Sequence, residues 1–244
     1  MKNKNTIWIY PLIIIGVLLV ITSSCSKKDD NNGNNTSTTT TVTDIDGNVY
    51  HTVTIGTQVW MVENLKTTKY RDGSAVPNIN DSAAWSNLTT GAYCDYSNIP
   101  GNSTTYGRLY NWYVVNDSRN IAPTGWHVPT DGEWNIMEKY LDNTVDTTAT
   151  GFVGTDIGGK LKETGTTHWD SPNTGATNSS GFTALPGGYR SGTFYDIGSN
   201  GCWWSNTESN AIKAYDRYLS CDSAKVDRGS YGKVDGYSVR CLKD

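Results

Sequence analysis

Gly125-Trp126-His127-Val128-Pro129-Thr130-Asp131-Gly132-Glu133-Trp134 is the stretch on which the reading of the fold turns. Thr130 followed three residues later by Glu133 is a capping box, in which each side chain satisfies the other's free backbone N–H. Asp131 adds a negative charge at the positive end of the helix dipole. Beyond the cap, Trp134, Met137, Tyr140 and Leu141 recur at i, i+3, i+6 and i+7, which predicts a helix with one apolar face on a core. His127, just before the turn, reads as a partly buried structural residue.

Outward from this helix the chain changes character. It holds 9 Trp, 15 Tyr and 25 Gly against 3 Phe, and short β-branched or aromatic runs broken by Gly and Asn dominate. The class expected is α+β: a twisted antiparallel sheet, one or two short helices and a long loop region. Val42 to Leu65 reads as a hairpin around Asp46-Gly47-Asn48, with Val49, His51, Val53 and Ile55 alternating with outward residues. Asp44, Asp46 and Asn48 resemble the start of a calcium loop, but the rest of the ligand set is missing, so the turn reading is preferred. Gln58 to Met61 begins a second strand with Trp60 inward, and Asp81 caps a short helix to Leu88. Asn143 to Ser199 reads as loop, and Cys202–Asn206, Ala214–Ser220 and Tyr237–Leu242 read as strands.

The first residues carry a different message. Lys2 and Lys4, an apolar run from Ile7 to Ile21 and small Thr22-Ser23-Ser24 lead to Cys25, the order of a secretory signal with a cysteine at the cleavage point. The expectation is a lipoprotein signal over 1–24, palmitate or another acyl group on Cys25, and an Asn/Thr/Ser tether over 25–41 that is too polar to pack. Residues 42–244 then form one domain. Ser26-Lys27-Lys28-Asp29-Asp30 resembles the charged tag of surface-exported lipoproteins of the Bacteroidetes group, which implies an outer-membrane, lipid-anchored protein at the cell surface. Net charge is −4, and −6 once Lys2 and Lys4 are removed, a balance that speaks against nucleic acid as a partner.

From Val42 to Asp244 the chain resembles the Fibrobacter succinogenes major paralogous domain. The decapeptide above carries that resemblance, together with Asp46–Tyr50, Gln58–Leu65, Gly107–Tyr113, Gly181–Arg190, Cys202–Glu208 and Tyr237–Cys241. The resemblance implies a domain of secreted or lipid-anchored bacterial surface proteins. The helix start and the closing Val239-Arg240-Cys241 also resemble the formylglycine-generating enzyme and C-type lectin-like folds. The close cysteine pair that holds copper in those enzymes has no counterpart here. The lectin calcium tripeptide is likewise missing before Trp204-Ser205-Asn206.

No Gly-x-Ser-x-Gly elbow, P-loop or dinucleotide fingerprint occurs, and three scattered histidines offer no zinc spacing. The expectation is therefore no catalytic residue, no metal and no cofactor. The function expected is a binding module for an extracellular glycan or protein, the alternatives being an enzyme acting on polysaccharide or a structural coat protein. Its candidate contacts are His168, Trp169, Tyr189, Arg190, Tyr195 and Glu208, aromatic and polar residues of the loop region and the strand after it. Four cysteines remain in an exported chain, and two disulfides are expected. Placing Trp204 opposite Leu219 sets Cys202 against Cys221, which leaves Cys94 for Cys241.

Overall fold

A computed structural model describes residues 40–244. Cys25, the signal over 1–24 and nearly all of the expected tether lie outside the described residues. The chain opens with β1 (Thr41–Thr43), β2 (Val49–Ile55) and β3 (Gln58–Met61), followed by the short helix α1 (Ser82–Ser86). Next come β4 (Tyr93–Cys94), α2 (Pro100–Tyr106), β5 (Leu109–Tyr110), α3 (Trp112–Val115) and β6 (Trp126–His127). The main helix α4 (Asp131–Leu141) precedes β7 (Gly151–Val153) and α5 (Ile157–Leu161). The chain ends through β8 (Gly187–Ser191), β9 (Thr193–Ile197), β10 (Asn200–Asn210), β11 (Lys213–Ser220), β12 (Val226–Gly232) and β13 (Leu242–Lys243).

The class is mixed helix and sheet, with few helices. One sheet runs β1-β2-β3-β13-β6, a larger one runs β7-β12-β11-β10-β8-β9, and β4 pairs with β5. Pairing is antiparallel except between β10 and β8. Among the described residues no helix is long and apolar enough to cross a membrane.

The capping box forms as the spacing predicts: the Glu133 N–H donates to Thr130 Oγ1 at 3.2 Å, and the Thr130 N–H donates to Glu133 Oε2 at 2.7 Å. Asp81 caps α1 through the Ala84 N–H at 2.7 Å, which leaves Trp85 buried. Trp134 and Met137 bring the apolar face of α4 onto a core where Trp60 lies 4.9 Å and Phe182 5.8 Å from the Trp134 ring. Large rings here take up the space that leucines fill elsewhere. Tyr140 departs from the predicted stripe. It is 66 % exposed, because its ring lies over Gly56 at the β2–β3 turn instead of reaching the core.

One further expectation is corrected. On β2, Val49 and His51 face out and Tyr50 faces in, donating to Asp44 Oδ2 at 2.6 Å. The strand lies between two cores, so Tyr50 enters one and Ile55 the other, and simple alternation fails. The same arrangement on β10 buries both Trp204 and Trp203 on opposite faces. The stretch 143–199 is largely loop as expected, interrupted by the short elements β7, α5, β8 and β9.

The cysteine pairing is corrected too. Cys94, Cys202, Cys221 and Cys241 are free buried thiols. In the β10–β11 ladder Trp204 faces Asp216 and Gly201 faces Leu219, so Cys202 stands across from Tyr218. Cys221 donates its N–H to Ser199 O, three residues from Cys202 and hence on the other face. Cys94 belongs to the β4–β5 cluster and Cys241 to the large core around Trp204, so that pair is parted as well.

Candidate functional site

The six-stranded sheet has a closed back and a partly open front, and the alternation along β11 decides which residues go where. Arg217 points back. Its Nη1 donates to Asp131 Oδ1 at 2.8 Å, and its Nε donates to Glu138 Oε1. Arg228 on β12 joins it, donating from Nη2 to Asp131 Oδ2 at 2.7 Å. These buried charges fasten α4 across the back of the sheet.

Ala214, Asp216 and Tyr218 point to the front, across from Tyr231, Gly229 and Asp227 of β12. Trp204 and Cys202 of β10 continue this face next to Asp216 and Tyr218. A run of rings crosses it. Tyr195 stacks on Tyr189 at 5.3 Å, Tyr189 meets Tyr237 edge-on at 5.9 Å, and Tyr231 lies 6.0 Å beyond Tyr237. Phe152 of β7 meets Tyr218 at 6.2 Å. Tyr237 stacks on Trp204 and belongs to the core, whereas Tyr195, Tyr231 and Phe152 are 41, 46 and 50 % exposed.

Carboxylates sit among these rings. Asp216 is 1 % exposed, and neither of its oxygens has a hydrogen-bond partner among the described residues. Burial holds its carboxyl well above the usual range. Arg217 offsets this in part, and the nearby Asp227 and Asp235 add to it. Burial also raises Asp227 and Asp235, the latter against hydrogen bonds from Ser191 and the Gly232 N–H. Tyr189 and Tyr218 are both pushed up to about 12, first by burial, and so keep their hydroxyl protons. Asp216 and Asp227 both turn an oxygen toward Gly229, where a Cβ would stand 2.7 Å from one and 3.2 Å from the other. The edge of the Tyr231 ring overhangs the same notch. A cavity of about 550 Å³ beside these strands takes in Ser209, Lys213 and the back-facing Tyr215, Arg228 and Ser230, and does not reach Asp216.

Of the residues singled out in the sequence, Tyr189 and Tyr195 lie on this face and the others do not. Trp169 is buried, donating from Nε1 to Ala184 O at 2.9 Å, with the Lys162 ammonium 5.3 Å from its ring. Arg190 is buried as well: its guanidinium lies 4.5 Å from the Trp85 ring and donates to Ile79 O and Asn80 O. His168 is half-buried, 2.8 Å from Glu163 and edge-on to Tyr106, away from the tyrosine face. Glu208 pairs with Lys233 at 2.9 Å near the end of β10. Four of the six candidates are thus not on this face. The sequence reading missed Phe152, Asp216, Tyr218, Asp227 and Tyr231. Ala214, Asp216 and Tyr218 at every second position of a strand were the available signal. Among the described residues, no three His, Cys, Asp or Glu side chains come together to hold a metal ion.

Comparison with known proteins agrees with the sequence blocks. The model of the Fibrobacter succinogenes major domain matches residues 53–243. Neither a curated protein nor a solved structure matches the chain.

Proposed function

The chain belongs to the Fibrobacter succinogenes major domain family, and we propose that it is a non-catalytic binding module that takes an extracellular glycan through the tyrosine face of its larger sheet. One observation carries the reading: three large rings from β7, β9 and β12 stay exposed on the front face, while α4 covers the back. Exposed rings stack on sugar faces, and carboxyl and phenol groups beside them hydrogen-bond hydroxyls. Asp216 lies too deep to touch a substrate, which favours binding over catalysis. We also propose a C-type lectin-like fold, a reading supported by the antiparallel sheets and few helices. An extracellular protein is the other ligand class open to the same face.

The proposal includes the address: a lipid on Cys25 holding the protein at the outer membrane, facing the medium, with the membrane as its first partner. Cys25→Ala should abolish incorporation of a labelled fatty acid, and unchanged labelling would end the anchoring claim. For the binding claim, the full chain is screened on immobilised glycans beside Tyr195→Ala and Tyr231→Ala variants. Retention of at least one glycan, weakened by both substitutions, is the expected result. Retention of none, or variants indistinguishable from the parent, would remove the assignment.

A further inference from the structure

We infer that the chain holds a second saccharide site, in the cavity beside Tyr113 of α3 and the Asp117–Arg119 pair that follows it, and that this site takes a neutral sugar ring through two adjacent hydroxyls. It rests on the glycan reading above but shares no residue with the tyrosine face. The cavity measures about 380 Å³, which falls in the range of small-ligand sites. Pro77, the hydroxyl residues Thr89 and Thr90, Tyr113, Asp117 and Arg119 line it. A ligand can reach these groups: Thr89, Thr90 and Arg119 are exposed, and Tyr113 and Asp117 are half-buried.

Arg119 is held in place without a ligand. Its guanidinium carbon lies 3.8 Å from the centre of the Tyr70 ring. Its Nε donates to Asp117 Oδ1 at 2.9 Å, its Nη2 to Asp117 Oδ2 at 2.7 Å and its Nη1 to Ser74 Oγ at 3.2 Å. Gly91 of the cavity lining leaves room for the ring beneath, since a Cβ there would stand 2.2 Å from the Tyr70 hydroxyl. Each terminal nitrogen of a guanidinium carries two N–H groups, so one on Nη1 and one on Nη2 stay uncommitted among the described residues. Asp117 Oδ2 accepts one N–H from Arg119 and keeps room for another donor. The hydrogen bond from Arg119 holds the Asp117 carboxyl below its ordinary value, so this acceptor stays ionised at neutral pH. Free donors and a free acceptor therefore stand side by side on one rigid edge. Two hydroxyls on neighbouring ring carbons match it, one donating to Asp117 and the other accepting from Arg119, whereas a lone hydroxyl satisfies half of it. Thr89 and Thr90, whose hydroxyls make no hydrogen bond among the described residues, add further partners, and the Tyr113 ring supplies apolar surface for the C–H side of the sugar. An anionic sugar fits less well, because Asp117 already matches the charge of Arg119 and Asp72 adds a negative field.

Calorimetry on the full chain carrying Tyr195→Ala and Tyr231→Ala reads this cavity with the tyrosine face disabled. The probes are cellohexaose, mannohexaose, hexagalacturonate as the anionic counterpart, and periodate-oxidised cellohexaose, in which the bonds between adjacent hydroxyl-bearing carbons are cut. At least one of the two neutral hexasaccharides should bind. Adding Arg119→Lys, which keeps the charge and loses the fork, or Tyr113→Ala should weaken that binding roughly tenfold at an unchanged melting temperature. If the parent chain binds and the double variant does not, this site is overturned and the tyrosine-face reading stands. Binding by neither protein overturns this site as well, and the glycan screen then decides the face. Tighter binding of hexagalacturonate overturns the neutral class, and undiminished binding after periodate overturns the role of adjacent hydroxyls. Full affinity in Arg119→Lys and Tyr113→Ala overturns the location.

Discussion

Asp216 lies directly across the β11–β12 ladder from Gly229, and a methyl group added at Gly229 would stand 2.7 Å from the Asp216 Oδ1. That relationship lets the edge of the Tyr231 ring close over a carboxyl sealed from solvent. Gly229→Ala should crowd Asp216 and the Tyr231 ring together, costing about 1–3 kcal/mol in a urea unfolding series. Combining it with Tyr231→Ala should recover part of the loss, since the ring edge 2.6 Å from the added carbon is then gone. A Gly229→Ala variant as stable as the parent would show that the notch is roomier than described.

Asp216 also makes a prediction about pH. Its folded-state pKa is raised, so the stability it contributes is fully present below the unfolded value, near pH 4, and is lost as pH rises toward the folded value. Asp216→Asn stays neutral throughout. It should therefore be more stable than the parent at pH 7 and nearly equal to it at pH 4, as read from denaturant midpoints. A variant less stable than the parent at both values would assign the carboxyl a structural partner.

Arg217 governs the other side of the sheet. Replacing it with methionine leaves Asp131 and Glu138 facing each other's field with one guanidinium fewer, and Glu138 is 1 % exposed. Stranding a buried charge costs about 3–5 kcal/mol. Arg217→Met should therefore lower the urea midpoint far more than Lys213→Met on the same strand, whose side chain is exposed. Similar midpoints would mean that α4 is held by its apolar stripe alone.

The thiols give the fourth test. Burial raises Cys202 and Cys241 well above the ordinary thiol range and lifts Cys94 to about 11. Cys94, Cys202, Cys221 and Cys241 should react with a thiol reagent only after unfolding, and reductant should leave the melting temperature unchanged. A disulfide-linked peptide in a non-reducing digest would overturn this.

Local rules were readable because they act within a few residues. Thr130 with Glu133 and Asp81 with Ala84 close their caps without help from remote chain, and both helices start where the sequence places them. Trp60 is inward as expected. The errors share one cause. Which side of β2 is inward, whether Tyr140 reaches the core, and which strand residue faces Cys202 all depend on elements distant in the chain.

The amino-acid sequence by itself determined the α4 start, the turn at Asp46-Gly47-Asn48, the β-rich character and the family blocks, since short-range hydrogen bonding and composition suffice for each. The tertiary structure alone decided the tyrosine face. Phe152, Tyr189, Tyr195, Asp216 and Tyr231 come from five strands and meet only through ladder register. Along β11, Asp216 and Arg217 are equally polar neighbours. Arg217 finds two carboxylates behind the sheet and Asp216 finds no hydrogen-bond donor in front, because α4 packs on one side only.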